Sequence, residues 1–203
     1  MKDPLTGFEY PDNWVTRCTS PEKLRLVKEG LAVLTSSGLV LLRGFTTGTT
    51  AAAAAKAAVL SLGKDTGSVT VTLPCGIPVV VPAYGHNGTG SAAKFAGDYP
   101  SDVTAGLEFR AVASRQPGCI TITFGEGIGR FSRDTPRYRK GTPAVSPTAL
   151  SCIVQSVQEA LDTLCESGIS VGISAPEGVT IAQKTLNPRM GVVGGISVLG
   201  TTG

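Results

Sequence analysis

Apolar and polar positions along this chain repeat with two different periods, and the switches between them mark out the elements. Val69, Val71 and Leu73 alternate with Ser68, Thr70 and Thr72, Pro74-Cys75-Gly76 turns the chain, and Ile77, Val79 and Val81 resume the alternation. A period of two belongs to strands with one buried face, so this stretch predicts a β-hairpin. Pro78 and Pro82 cannot donate to a ladder, which puts the second of these strands at a sheet edge. Residues 107–113 and 120–124 predict a second hairpin, turned at Gln116-Pro117-Gly118.

The helical period appears elsewhere. Ser20-Pro21 supplies a cap and a first-turn proline for a short helix to about Gly30. A second helix follows Thr46-Thr47-Gly48-Thr49, runs through five consecutive alanines and ends at Gly63. Methyl side chains let such a helix lie close to its neighbours. From Ser146 onward Leu150, Ile153, Val154, Val157, Leu161 and Leu164 fall on one face, with Pro147 at the start and Gly168 at the end. A strand over 169–174, a helical turn over 181–186 and a hydrophobic strand over 191–199 complete the chain, while the opening FEYPDNWV reads as an irregular, aromatic-anchored arm. The expected fold class is α+β, antiparallel hairpins packed with helices to one side over 1–188. Residues 189–203 then begin a parallel, Rossmann-like α/β domain, and the helix that would cover the last strand is expected beyond the chain.

Composition narrows the function. The chain has 203 residues, 41% of them hydrophobic and 16% charged, which suits a substantial core. A net charge of +3 and only 5% aromatics argue against nucleic-acid binding. No run is long enough to span a membrane, and MKDPLTGFEY lacks the apolar core of a signal peptide, so a soluble, cytoplasmic protein is expected. Cys18, Cys75, Cys119, Cys152 and Cys165 form no C-x-x-C pair and read as reduced thiols, with Cys119, Cys152 and Cys165 as small buried hydrophobes and Cys75 exposed in a turn. His86, the single histidine, reads as a solvent-facing loop residue, and no protein-ligated metal is expected.

Four segments are richer in special residues than a scaffold requires. Helix starts leave backbone N–H groups unpaired, so the turn at Thr46, Thr47, Gly48 and Thr49 is a candidate anion site, although a capped core helix accounts for the same residues. The loop KFAGDYPSDVTAG holds Asp98 and Asp102, suited to acid–base work, metal binding or simple capping. GEGIGRFSRDTPRYRKG combines Glu126, Gly127 and Gly129 with Arg130, Arg133, Arg137 and Arg139, whose planar forks pair with carboxylate or phosphate. The fourth segment is the glycine-rich end, GVVGGISVLGTTG.

Together these stretches resemble the CbiD-type cobalt-precorrin-5B C1-methyltransferases. DPLTGFEYP, LRGFTTGTTAAAAAKAA, LPCGIPV, KFAGDYPSDVTAG, ITITFGEGIGR, GTPAVSP and TLNPRMGVVGGISVLGTTG occur in the family's order and cover essentially the whole chain. Thr50 stands where many members carry cysteine, and members continue well past the position of Gly203. The resemblance implies transfer of a methyl group from S-adenosylmethionine to C1 of a ring-contracted cobalt tetrapyrrole, with cobalt arriving in the substrate. It implies substrate contacts at Thr46, Thr47, Gly48, Thr49, Gly127, Gly129, Arg130, Arg133, Arg137 and Arg139, with the alanines of the second helix leaving room for the ring. Glu126, Asp98 and Asp102 are the candidates for steering a proton or stabilising developing charge, and Gly194, Gly195, Gly200, Thr201 and Thr202 the candidates for cofactor binding. The small-molecule tetrapyrrole is the expected partner, with a second copy of the chain or a neighbouring pathway enzyme as further ones. Two other readings stand beside it: a small-molecule kinase-like enzyme cradling phosphates at 47–51 and GEGIG, and a tetrapyrrole-binding domain without catalysis.

Overall fold

The computed structural model describes residues 1–200. Helices α1 (Asp12–Arg17) and α2 (Pro21–Lys28) lead into a ribbon of β1 (Ala32–Leu34) and β2 (Val40–Leu42). Tyr10, Val27, Ala32 and Leu34 give this region a small core of its own. Phe8 packs edge-on to Tyr10 at 5.3 Å and lies 5.9 Å from Trp14, the anchoring expected of the arm. Part of that arm is nevertheless helical, because Pro11 sets the chain at the helix start and Asp12 places a carboxylate in the positive first turn. In α2 the Ser20 hydroxyl accepts from the Lys23 N–H as the sequence predicts.

Helix α3 (Thr47–Leu60) is the axis of the fold. Ala51 through Ala55, Ala57 and Ala58 have no exposed surface, so the helix is apolar and enclosed on all sides. These alanines therefore leave no room for a ligand; the sheet and a second helix occupy the space.

The sheet contains β3 (Thr66–Thr72), β4 (Pro78–His86), β5 (Thr89–Ala93), β6 (Glu108–Arg115) and β7 (Ile120–Phe124). Two-residue strands β8 (Gly127–Ile128) and β9 (Arg130–Phe131) follow, then α4 (Pro147–Leu164), β10 (Ile169–Ser174) and α5 (Gly178–Ala182). The sheet order is β3-β4-β5-β6-β10-β7. The first predicted hairpin forms, with Val69 opposite Val81 and Val71 opposite Val79. Its edge is β3, however, and not β4. The proline half of β4 pairs with β3 alone, since β5 joins only at Tyr84, Gly85 and His86, so no second neighbour requires the donors that Pro78 and Pro82 lack.

The second predicted hairpin does not form, because β10 inserts between β6 and β7, antiparallel to the first and parallel to the second. Ile169, Val171 and Ile173 are fully enclosed, which demands a central position. Gly168 permits the entry: a Cβ there would lie 2.6 Å from the Gln116 carbonyl oxygen. In α4 the buried stripe is Ala149, Cys152, Ile153, Ser156, Val157, Ala160 and Leu161, while Leu150 and Val154 face solvent. The helix ends at Cys165 in the left-handed conformation instead of at Gly168. Cys119 and Cys165 are exposed, contrary to expectation, whereas Cys152 is buried and Cys75 exposed as read. Burial, with the nearby Glu159 carboxylate, pushes the Cys152 thiol pKa up to about 11.

The hydrophobic segment after residue 190 is not one strand. Gly194, at φ +75°, divides it into β11 (Val192–Val193), antiparallel to β9, and β12 (Gly195–Ile196), parallel to β8. Neither joins the main sheet. Among the described residues, no helix is long and apolar enough to cross a membrane.

Candidate functional site

Two adjoining openings share lining residues and form the lobes of one cleft. A polar lobe of about 450 Å³ is walled by Arg43, Thr47, Lys94, Tyr99 and Asp102. An apolar lobe of about 560 Å³ is walled by Phe131, Arg137, Tyr138, Met190 and Val192. Leu186, Asn187, Ser197 and Leu199 line both and form the ridge between them. Phe131 and Tyr138 stack face to face, centroids 4.4 Å apart and planes within 9°.

The ridge is held from two sides. Buried Asn187 donates through Nδ2 to the Gly195 carbonyl (3.2 Å) and accepts through Oδ1 from the Ser197 hydroxyl (3.0 Å). Thr47 Oγ1 donates to the Ser197 carbonyl (3.1 Å) and accepts from the Leu199 N–H (2.9 Å). The threonine turn is thus a latch on residues 197–199. Gly48 donates its N–H to the Leu199 carbonyl, Thr49 to the Thr46 hydroxyl and Thr50 to the Thr46 carbonyl. Three of the N–H donors that an anion at this helix start would use, those of Gly48, Thr49 and Thr50, are therefore committed within the chain. Thr47→Val removes one hydroxyl bond and strands the Leu199 N–H, a loss of about 1–3 kcal/mol. Faster hydrogen exchange at Leu199 is the expected result; unchanged exchange would show that the latch is not what holds the ridge.

The three candidate carboxylates are not brought together. Asp102 alone lines the cleft. Its Oδ2 accepts from the Lys94 ammonium, and its Oδ1 from the Thr104 N–H (2.9 Å) and hydroxyl (2.6 Å). Burial acts to raise its pKa, but the hydrogen bonds from Lys94 and Thr104 outweigh it and hold the group below the ordinary carboxylate value. Asp98 is exposed and ties its loop to the ribbon by accepting from the Leu42 N–H at 2.7 Å. Glu126 is exposed and lines neither lobe.

The basic segment divides in the same way. Arg130 staples its own loop, donating to the Gly141 and Phe124 carbonyls at 2.9 Å each. Arg137 lines the apolar lobe, and Arg133 and Arg139 are exposed; none of the three forms an ion pair among the described residues. Gly127 and Gly129 are buried and present no open backbone: a Cβ on Gly127 would lie 1.7 Å from the Ala175 oxygen, and one on Gly129 2.7 Å from that of Gly195. Gly195 is closed off likewise by the Gly127 oxygen at 2.2 Å, Gly200 lies against the start of α4, and Gly194 is exposed on a turn. Thr201 and Thr202 lie outside the described residues. The described members of this set share no cradle for an adenosyl group.

Sequence reasoning passed over Arg43, Lys94 and Asn187. The available signal was a cation enclosed by apolar neighbours, Leu42-Arg43-Gly44-Phe45 and Ala93-Lys94-Phe95, where a charge needs a reason to be buried.

Residues 34–203 match the family model described as CbiD. A cobalt-precorrin-5B C(1)-methyltransferase from Methanoculleus marisnigri is 58% identical over 205 residues, covering all of this chain and 61% of that protein. The protein of the same name from Methanoregula boonei is 57% identical with the same coverages. The chain thus spans about three fifths of the length of the curated relatives it matches. The crystal structure of a cobalamin biosynthesis protein (CbiD) from Archaeoglobus fulgidus superimposes with a TM-score of 0.84 at 38% identity, covering all of this chain and 66% of that one.

Proposed function

The chain belongs to the CbiD family, and on that premise we propose that it takes part in the C1-methylation of cobalt-precorrin-5B in cobalamin biosynthesis. The match over residues 34–203 carries this reading, and the cleft supports it. A precorrin has a flat, largely apolar macrocycle edged with acetate and propionate arms. The apolar lobe offers stacked aromatic rings to such a face, while Arg137 on its wall offers planar donors to a carboxylate. The lobes, of about 450 and 560 Å³, meet across one ridge, so a single macrocycle can span both.

Methyl transfer from a sulfonium donor is a displacement in which the enzyme's contribution is orientation and control of charge. S-adenosylmethionine is the proposed donor. Within the cleft Asp102 is the carboxylate placed to offset positive charge developing on the ring, ahead of Asp98 and Glu126. The division after residue 188 belongs to the same proposal, and the first two strands beyond it, β11 and β12, pair back onto β9 and β8 of the preceding part. So do a cytoplasmic location and contacts with a second copy or a pathway enzyme. The kinase-like alternative loses support because the Gly48, Thr49 and Thr50 N–H groups at the helix start are internally bonded.

A single-turnover assay with cobalt-precorrin-5B and S-adenosylmethionine, read by product mass, tests the reading. Gain of one methyl group by the tetrapyrrole in the presence of this chain is the expected result. Methylation by the full-length Methanoculleus protein but not by this chain would reduce its role to substrate binding. No methylation by either would sink the proposal.

A further inference from the structure

Arg43 and Lys94 are buried cations on the wall of a cleft that is open to solvent, with side chains only 10% and 7% exposed. Their segments lie side by side, residues 43–45 antiparallel to 95–97 through the Arg43–Gly97 bridge and the Phe45 N–H bond to the Phe95 carbonyl, and both residues line the polar lobe. Each has one carboxylate partner. Arg43 Nη2 donates to Asp3 Oδ2, and Lys94 Nζ donates to Asp102 Oδ2. Both retain donor capacity, because an ammonium and a guanidinium carry several N–H groups and no other side-chain bond is made by either among the described residues. Arg43 Nε is buried without any partner there.

Their carboxylate partners are held independently of them. Asp3 accepts from the Leu5 and Thr6 N–H groups and from the Tyr10 hydroxyl, and Asp102 from Thr104. The carboxylates therefore act as fixed counter-charges beside the two cations, as a preformed anion site requires.

Building on the function proposed above, we infer that Lys94, backed by Arg43, is the carboxylate-binding point of the polar lobe, taking one acidic arm of the tetrapyrrole. Substrate carboxylate and Asp102 then share the Lys94 ammonium. Arg137 grips an arm at the other lobe, so the macrocycle is fixed at two ends across the ridge, which sets which ring position faces the reaction.

The two residues of the Lys94–Asp102 pair should respond in opposite directions. The probe is uroporphyrin, a tetrapyrrole with acetate and propionate arms, titrated by fluorescence against this chain. Lys94→Met is expected to weaken binding at least about tenfold, the worth of one charged hydrogen bond. Lys94→Arg should restore most of it. Asp102→Asn should tighten binding, since it removes the competing negative charge. A merely structural pair would weaken in both substitutions, and that result overturns the inference. Affinity unchanged by Lys94→Met overturns it too, while leaving the proposed function in place. Failure of the unsubstituted chain to bind the probe overturns this inference and the role assigned to the cleft together.

Discussion

Replacing Gly127 by alanine is expected to lower the melting temperature by about 10 °C and to disturb the β8–β12 pairing. Two costs combine. The residue sits at φ +73°, where an L side chain costs about 1–2 kcal/mol. Its Cβ would also fall 1.7 Å from the Ala175 oxygen, a backbone atom that cannot swing aside. Overpacking of this kind costs about 1–3 kcal/mol, and a chain of this size loses roughly 2–4 °C for each.

The damage would spread, because three segments meet at this point. A Cβ on Gly178 or on Gly195 would each lie 2.2 Å from the Gly127 oxygen, so the loop after β7, the start of α5 and the start of β12 share one backbone contact. Moving it disturbs the β8–β12 pairing and the Gly195 carbonyl that receives Asn187. Thermal melting with hydrogen exchange at Gly129, whose N–H bonds the Ile196 carbonyl, measures both effects. A melting temperature within about 2 °C of the original would refute this account of the contact.

Gly90→Ala is expected to be similarly severe for a purely steric reason. Its Cβ would lie 2.3 Å from the Ala54 oxygen and 2.4 Å from the Ala58 nitrogen, against the backbone of α3. Because α3 presents only methyl groups on this side, no longer side chain can fold away. The sheet must retreat from the helix, loosening the contacts of Phe109 and Val71 as well. The expected loss is at least about 3 kcal/mol, at the upper end for an overpacked core. Gly67→Ala is the control, since a Cβ there meets nothing within 4 Å. It should leave the melt essentially unchanged, and equal destabilisation by the two substitutions would remove the steric explanation.

The same glycines show how far a sequence can be read. GEGIG and VVGGIS carry the composition of ligand loops, and glycine serves equally well wherever any backbone must come close. Whether the approaching backbone belongs to a ligand or to the chain itself is a matter of what folds opposite. Here it is Ala175, Gly178 and Gly195, which lie tens of residues further along. The threonine turn follows the same logic: its composition predicts a capped helix, which forms, and its spare donors go to Leu199.

Local pattern determined the alternating strands β3 and β4 and their turn, the Ser20 and Ser146 caps, and an alanine helix compatible only with a crowded interior. These follow from side-chain period and backbone chemistry within a few residues. The tertiary structure alone decided that β10 separates β6 from β7, that α4 turns its small residues inward, and that Asp102 stands in the cleft without Asp98 or Glu126. It also brought Arg43 and Lys94 to one wall. Periodicity specifies which face of an element is buried and leaves open which element covers it. That choice is settled by long-range packing, in which every enclosed apolar face and every buried charge must find its partner at once.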